Sequence, residues 1–135
     1  MNFASIRIIT QDVDRLVRFY EQVTGVTAER PAPVFAEFVL PSCALAIAHV
    51  QTAQLFGADS VEAASNRTVI IEFLVEDVEA EYARLKPLVE NWVQAPTTMP
   101  WGNRSLLFRD PDGNLLNLFT PVTEEAIQRF NRRSL

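Results

Sequence analysis

Near the start of the chain every second position is nearly always apolar, and the same pattern returns in its middle. Ile6, Ile8 and Thr10 alternate with Ser5, Arg7 and Ile9; further on, Ile71, Phe73 and Val75 alternate with Ile70, Glu72 and Leu74. A period of two marks a strand with one buried face. In both places the pattern then changes to that of an amphipathic helix. Asp12 and Asp77 stand at the change as N-caps, followed by acidic residues in the first turn, where the helix dipole favours them. The first helix carries Val13, Leu16, Val17, Tyr20 and Val23 on one stripe and closes at Gly25. The second carries Val78, Tyr82, Leu85 and Val89, with Pro87 ending it early. The two segments superpose at an offset of 65 residues, which matches Asp12-Val13-Asp14 to Asp77-Val78-Glu79. What repeats is a physical pattern as well as a set of letters.

Three short strands are predicted after each helix: Val26–Pro31, Val34–Leu40 and Cys43–Val50, then Asn91–Pro96, Asn103–Arg109 and Leu115–Thr120. Each half is therefore βαβββ, and the fold class is α+β. The chain reads as a single domain, 1–135: module one 3–50, a linker 51–66 with one helical turn, module two 67–120, and a C-terminal helix 123–132. Thr123 caps that last helix, Glu124 and Glu125 sit at its positive end, and Arg129, Arg132 and Arg133 at its negative end. Between the last two strands lies Asp110-Pro111-Asp112-Gly113-Asn114. Here Pro presets φ, Gly supplies a φ > 0 position, and the Asx side chains bond their own backbone.

Composition narrows the function classes. With 135 residues, 48% hydrophobic and 21% charged, the chain is an ordinary globular one. A net charge of −5 argues against a nucleic-acid partner and favours encounter with a cationic ligand. The longest apolar region, Phe38 to Val50, is broken by Pro41-Ser42, so no membrane partner is expected. No basic, signal-like N-terminal region precedes the first strand, so a secretory signal is not expected. Cys43 is the one cysteine and sits in an apolar strand, which suits a buried thiol and a cytoplasmic setting.

The string from Pro100 to Leu118, with its Asp-Pro-Asp-Gly-Asn turn, resembles the signature hairpin of the glyoxalase/bleomycin-resistance/dioxygenase (vicinal oxygen chelate) superfamily. Together with the βαβββ repeat, the resemblance covers residues 3–120. It implies two modules whose sheets form a cupped mixed sheet with a ligand in the cup. For single chains of this length it also implies a homodimer, in which a module from each subunit completes each cup. Metal-using members hold the ion from the first and last strands of each module. The corresponding positions here are Ser5, Ile70 and Asn117, with Ala46 at the looser fourth place. Serine and asparagine are poor ligands for a divalent transition metal, and isoleucine and alanine are none. Neither metal nor other cofactor is therefore expected. The one histidine, His49, alternates with Leu45 and Ile47 towards the helices. The alternative is a rearranged site that uses it with carboxylates such as Glu72 and Glu37.

The candidate ligand-binding residues are Arg7, Phe35, Glu72, Trp92, Trp101, Arg104, Asn117 and Phe119. Arg7 and Glu72 are equivalent under the repeat. They read either as a structural ion pair or as an anion anchor (Arg7) beside a ligand anchor or general base (Glu72), which makes Glu72 the candidate catalytic residue. Trp101, between Pro100 and Gly102, offers a flat ring for stacking. Arg104 either reaches the ligand or bonds the turn. The function expected first is metal-independent binding of a small molecule, as in the bleomycin-resistance type. The alternative is a lyase, isomerase or dioxygenase of the same superfamily, with an unusual metal set or metal-free acid–base chemistry. A purely dimeric scaffold is a third reading that no sequence feature favours.

Overall fold

A computed structural model describes residues 1–133. The chain divides into two compact units: residues 1–66 with Pro111–Gly113, and Arg67–Asp110 with the chain from Asn114 onward. Both are built to the α+β plan that the repeat predicts.

In the first unit β1 (Ser5–Thr10) runs parallel to β4 (Ala44–His49). β4 pairs antiparallel with β3 (Phe35–Val39), and β3 with β2 (Glu29–Ala32), which gives the order β1-β4-β3-β2. Helix α1 (Val13–Thr24) begins where Asp12 accepts the Arg15 N–H (3.1 Å). It ends at Gly25 (φ 70°), whose N–H reaches the Glu21 carbonyl (2.9 Å). Its stripe of Val13, Leu16, Val17, Tyr20 and Val23 is buried, with Tyr20 against Phe38. Full burial of such a side chain contributes about 1.5–3 kcal/mol each. β2 starts three residues later than its apolar pattern predicts. The N–H of Val26 goes to Thr24 Oγ1 and that of Ala28 to Glu21 Oε2, so these residues finish the helix instead of joining the ladder. The helical turn expected after β4 is a 3-10 helix, Val50–Phe56, and His49 caps it by accepting the Gln51 N–H at Nδ1 (3.1 Å).

The second unit repeats the order as β5-β8-β7-β6, formed by β5 (Ile70–Leu74), β6 (Trp92–Thr98), β7 (Asn103–Arg109) and β8 (Leu115–Pro121). Helix α2 (Val78–Leu85) is capped by Asp77, which accepts from Glu79 and Ala80. Thr120 ties the central strand to this helix start. Its hydroxyl accepts the Val78 N–H (3.1 Å) and donates to the Val75 carbonyl (3.0 Å). Leu85, Leu106, Phe108, Leu116 and Leu118 fill the layer between helix and sheet. At the β7–β8 turn the buried Asp110 carboxylate accepts both the backbone N–H (2.9 Å) and the side-chain amide (2.8 Å) of Asn114, and Gly113 takes φ 86°.

Helix α3 (Glu124–Arg133) is anchored at the β6–β7 loop. The Gly102 carbonyl accepts the N–H of Val122 (2.9 Å) and Thr123 (3.3 Å), and Gly102 itself adopts φ 92°. A Cβ there would lie 2.1 Å from Thr123 Oγ1.

Two stability effects follow. Gly102→Ala combines a disfavoured φ with that clash and should lower stability by roughly 2 kcal/mol or more in urea unfolding. Asp110→Ala leaves buried donors of Asn114 without a partner and should lower it by about 2–3 kcal/mol in the same measurement.

Candidate functional site

Strand alternation gives each sheet a helix-covered face and a distal one. In the first unit the distal face carries Ser5, Arg7 and Ile9 on β1, Ala44, Ala46 and Ala48 on β4, and Phe35, Glu37 and Val39 on β3. Arg7, Ala46 and Glu37 form one row across the strands; Ile9, Ala48 and Phe35 form the next. The alanines make a low floor, over which the Arg7 guanidinium reaches to 5.6 Å from the centre of the Phe35 ring. Such a cation–π contact is worth about 0.5–1 kcal/mol at an exposed site. The floor is thus smooth, with one cation lying over it. His49 is half-buried at the end of β4 and its Nδ1 is engaged in the cap.

The second unit's distal face is differently equipped. Its central strand presents Leu115, Asn117 and Phe119 where β4 has its three alanines. Glu72 on β5 and Leu107 on β7 flank Asn117 in one row. Asn117 donates from Nδ2 to Glu72 Oε2 (2.7 Å), a hydrogen bond strengthened by the carboxylate charge. Glu72 is exposed, while Asn117 is buried and its Oδ1 has no hydrogen-bond partner. Two more buried atoms on the same face share that condition, Ser105 Oγ, in register with Phe119, and Asn103 Oδ1, in register with Pro121. A buried polar atom left without a partner costs about 1–3 kcal/mol. Phe119 is covered: its ring lies 5.2 Å from that of Phe130 on α3.

The eight residues singled out from the sequence therefore separate. Glu72 and Asn117 meet directly, and Arg7 and Phe35 meet in the other unit. Trp92 is a correction. It pairs in register with Phe108 on the helix-covered face and packs edge-on against Tyr82 of α2 (5.1 Å) and Phe108 (5.4 Å). Arg104 is another. It shares the face of Leu106 and Phe108, and its guanidinium bonds Glu79 of α2 and Thr98 Oγ1. Phe119 is on the predicted face but beneath α3, whose packing stripe of Ala126, Ile127 and Phe130 holds in part: Ala126 is buried and Phe130 covers Phe119, while Ile127 is exposed. Trp101 is exposed in its loop, and its carbonyl accepts from Arg129 (3.5 Å). Ser105 and Asn103, which the sequence reading does not single out, lie on the face of Leu107, one and two rows from Asn117 along β7.

The chain belongs to the Glyoxalase/Bleomycin resistance protein/Dioxygenase superfamily, whose family model matches residues 2–118. Similar solved structures include a glyoxalase/bleomycin resistance protein/dioxygenase from Nocardioides, at 25% identity and TM-score 0.75, covering 92% of this chain and 85% of that one. A family enzyme from Burkholderia phytofirmans PsJN aligns at 17% identity and TM-score 0.80, over 90% of this chain and 100% of that one. A protein of unknown function from Agrobacterium tumefaciens str. C58 aligns at 24% identity and TM-score 0.76, over 89% and 94% of the two chains. At 17% and 24% identity the likeness shows the fold alone. No curated protein matches. Among the described residues no helix is long and apolar enough to cross a membrane.

The metal that the resemblance associates with this fold does not fit the residues present. Asn117, at the last-strand ligand position that the resemblance implies, has its amide nitrogen turned to Glu72, and Ile70, two residues before Glu72 on β5, has no donor atom. Ser5 and Ala46 offer a hydroxyl and a methyl. Among the described residues no three His, Cys, Asp or Glu side chains come together as a ligand set.

The two tryptophans should behave as a packed and an exposed ring. Trp92→Ala should lower stability by about 3 kcal/mol or more through the cavity it leaves, whereas Trp101→Phe should change it by less than about 0.5 kcal/mol. Acrylamide quenching of the single-tryptophan proteins should be stronger for Trp101.

Proposed function

We propose that this protein is a metal-independent small-molecule binding member of its superfamily, with the distal face of the second sheet as its ligand-contacting surface. The observation that carries this reading is the Glu72–Asn117 pair. A carboxylate and an amide lock each other in orientation, the carboxylate stays exposed, and the amide oxygen is left without a donor. A ligand that donated a hydrogen bond to Asn117 Oδ1 would relieve the cost of leaving that oxygen unpaired. Absence of a fitting ligand set at Ser5, Ile70 and Asn117 supports a chemistry without a resident metal. The reading includes a cup completed by a second copy of the chain, as the resemblance implies, and a cytoplasmic setting, which the single cysteine suits.

Protein purified without chelator is expected to carry no stoichiometric Ni, Zn, Fe or Mn by elemental analysis, and its melting temperature is expected to be unchanged by EDTA. Native mass spectrometry of the same material is expected to show co-purified small molecules that Glu72→Ala fails to retain. A stoichiometric transition metal removed by EDTA with loss of stability would overturn the metal-independent reading.

A further inference from the structure

Helix α3 lies on the distal face of the second sheet without matching it. Ala126 packs against Gly102, where an added Cβ would stand 3.0 Å from the Ala126 methyl, and Phe130 covers Phe119. Ala126 is buried and Phe130 half-buried, while Glu124, Glu125, Ile127 and Gln128 are exposed. The start of the helix is fixed through the N–H groups of Val122 and Thr123, which share the Gly102 carbonyl. Beyond that point side chains hold it: Ala126, Phe130, and Arg129, which lies over the Phe130 ring (5.3 Å).

Beneath this end of the face are two polar atoms with no partner, Asn103 Oδ1, beside Gly102, and Ser105 Oγ, in register with Phe119. Helix α3 does not serve them. Gln128 turns to Glu124 (3.4 Å) and Arg129 to the Trp101 carbonyl (3.5 Å). Strand β6 does not serve them either, since Thr97, in register with Ser105, donates to the Ala95 carbonyl (2.8 Å). Apolar contact of Phe130 and Ala126 therefore favours docking of the helix, and desolvation of the two polar groups opposes it. Both groups regain water when the helix lifts.

From this mismatch we infer that α3 is a displaceable cover, and that the strip beneath it is a concealed part of the ligand surface that receives an aromatic ring bearing a hydroxyl. The ring takes the place of Phe130 on Phe119. A hydroxyl both accepts and donates, so one group at the ring's edge satisfies Ser105 and Asn103 together. The charged side chains of this face, Glu72 and Arg109, stand two and three rows from Asn103, so the group that reaches it is uncharged. The inference rests on reading this face as the ligand-contacting surface and adds the end that α3 hides.

Hydrogen exchange and NMR titration of the full-length protein test it, with phenol as the probe and anisole as the same ring without a donor. The amides of α3 are expected to exchange through an opening less dependent on urea than that of Leu106 and Leu118. Ser105→Ala is expected to slow that exchange about 10-fold, because the docked helix no longer desolvates a hydroxyl. Phenol is expected to speed it and to shift the Asn103 side-chain NH2 and Ser105 amide signals. It should bind about 10-fold more tightly than anisole. Phe130→Ala is expected to strengthen phenol binding by removing the competing ring; a ring that merely touched the ligand would weaken binding on deletion. Exchange of α3 only together with Leu106 and Leu118, or unchanged in Ser105→Ala, would overturn the cover. Equal binding of anisole, or weaker phenol binding by Phe130→Ala, would overturn the occupant. Phenol shifts confined to the Glu72–Asn117 row, or none at all, would overturn the inference as a whole. The binding role is decided separately, by the co-purified molecules that Glu72→Ala retains or loses.

Discussion

Parallel pairing of the first strand of each half with its last is the constraint on which the other features depend. It makes β4 and β8 central strands, hydrogen-bonded along both sides, and requires a crossover that returns on one face of the sheet. Once α1 or α2 occupies that face, alternation decides which side chains of every strand lie on the other. In the second unit the same register sets Glu72 opposite Asn117 and Leu107 opposite Asn117 from the other side. A slip by one residue would send Leu116 and Leu118 out and Asn117 into the core, which the apolar packing of Leu85 and Phe108 opposes. The carboxylate–amide contact is thus a by-product of the ladder and needs no separate device to align it.

Much of this was legible in the chain itself, for identifiable reasons. Asp12 and Asp77 announce helix starts because a short carboxylate is the natural acceptor for first-turn N–H groups, and both do that work. The Asp110–Asn114 turn was readable because its chemistry is local. Strand faces followed from alternation wherever it was applied: it placed Glu72 and Asn117 on one face. Residue type misleads where it disagrees with strand parity. Trp92 and Arg104 have the residue types of ligand contacts but the parity of Phe108 and Leu106, and they pack beneath α2 accordingly. Two features lay beyond local reading. The burial of Phe119 depends on where α3 docks, and that is set by hydrogen bonds from Val122 and Thr123 to the Gly102 carbonyl, some twenty residues away. The shortage of donors around Asn103 and Ser105 is visible only once every neighbour has been given its partner.

The two units show how little backbone difference is needed for a large chemical one. Both sheets have the same strand order and the same parallel and antiparallel pairings. One has a floor of methyl groups beneath an arginine stacked on phenylalanine. The other has an amide, a hydroxyl and a carboxylate, with part of its surface under α3.

Alternation on the central strands also separates the letters that fold this protein from those that equip it. Leu45 and Ile47, like Leu116 and Leu118, face inward and are buried; the alanines of β4 and the Leu115, Asn117 and Phe119 of β8 face the other way. Exchanging an outward letter leaves every ladder hydrogen bond untouched, because those bonds use only the backbone. A duplicated half of this kind is therefore an evolvable object. One copy can drift through new surface chemistries while the inward letters of both continue to specify the same architecture, so shared ancestry at this fold predicts shape far better than it predicts substrate.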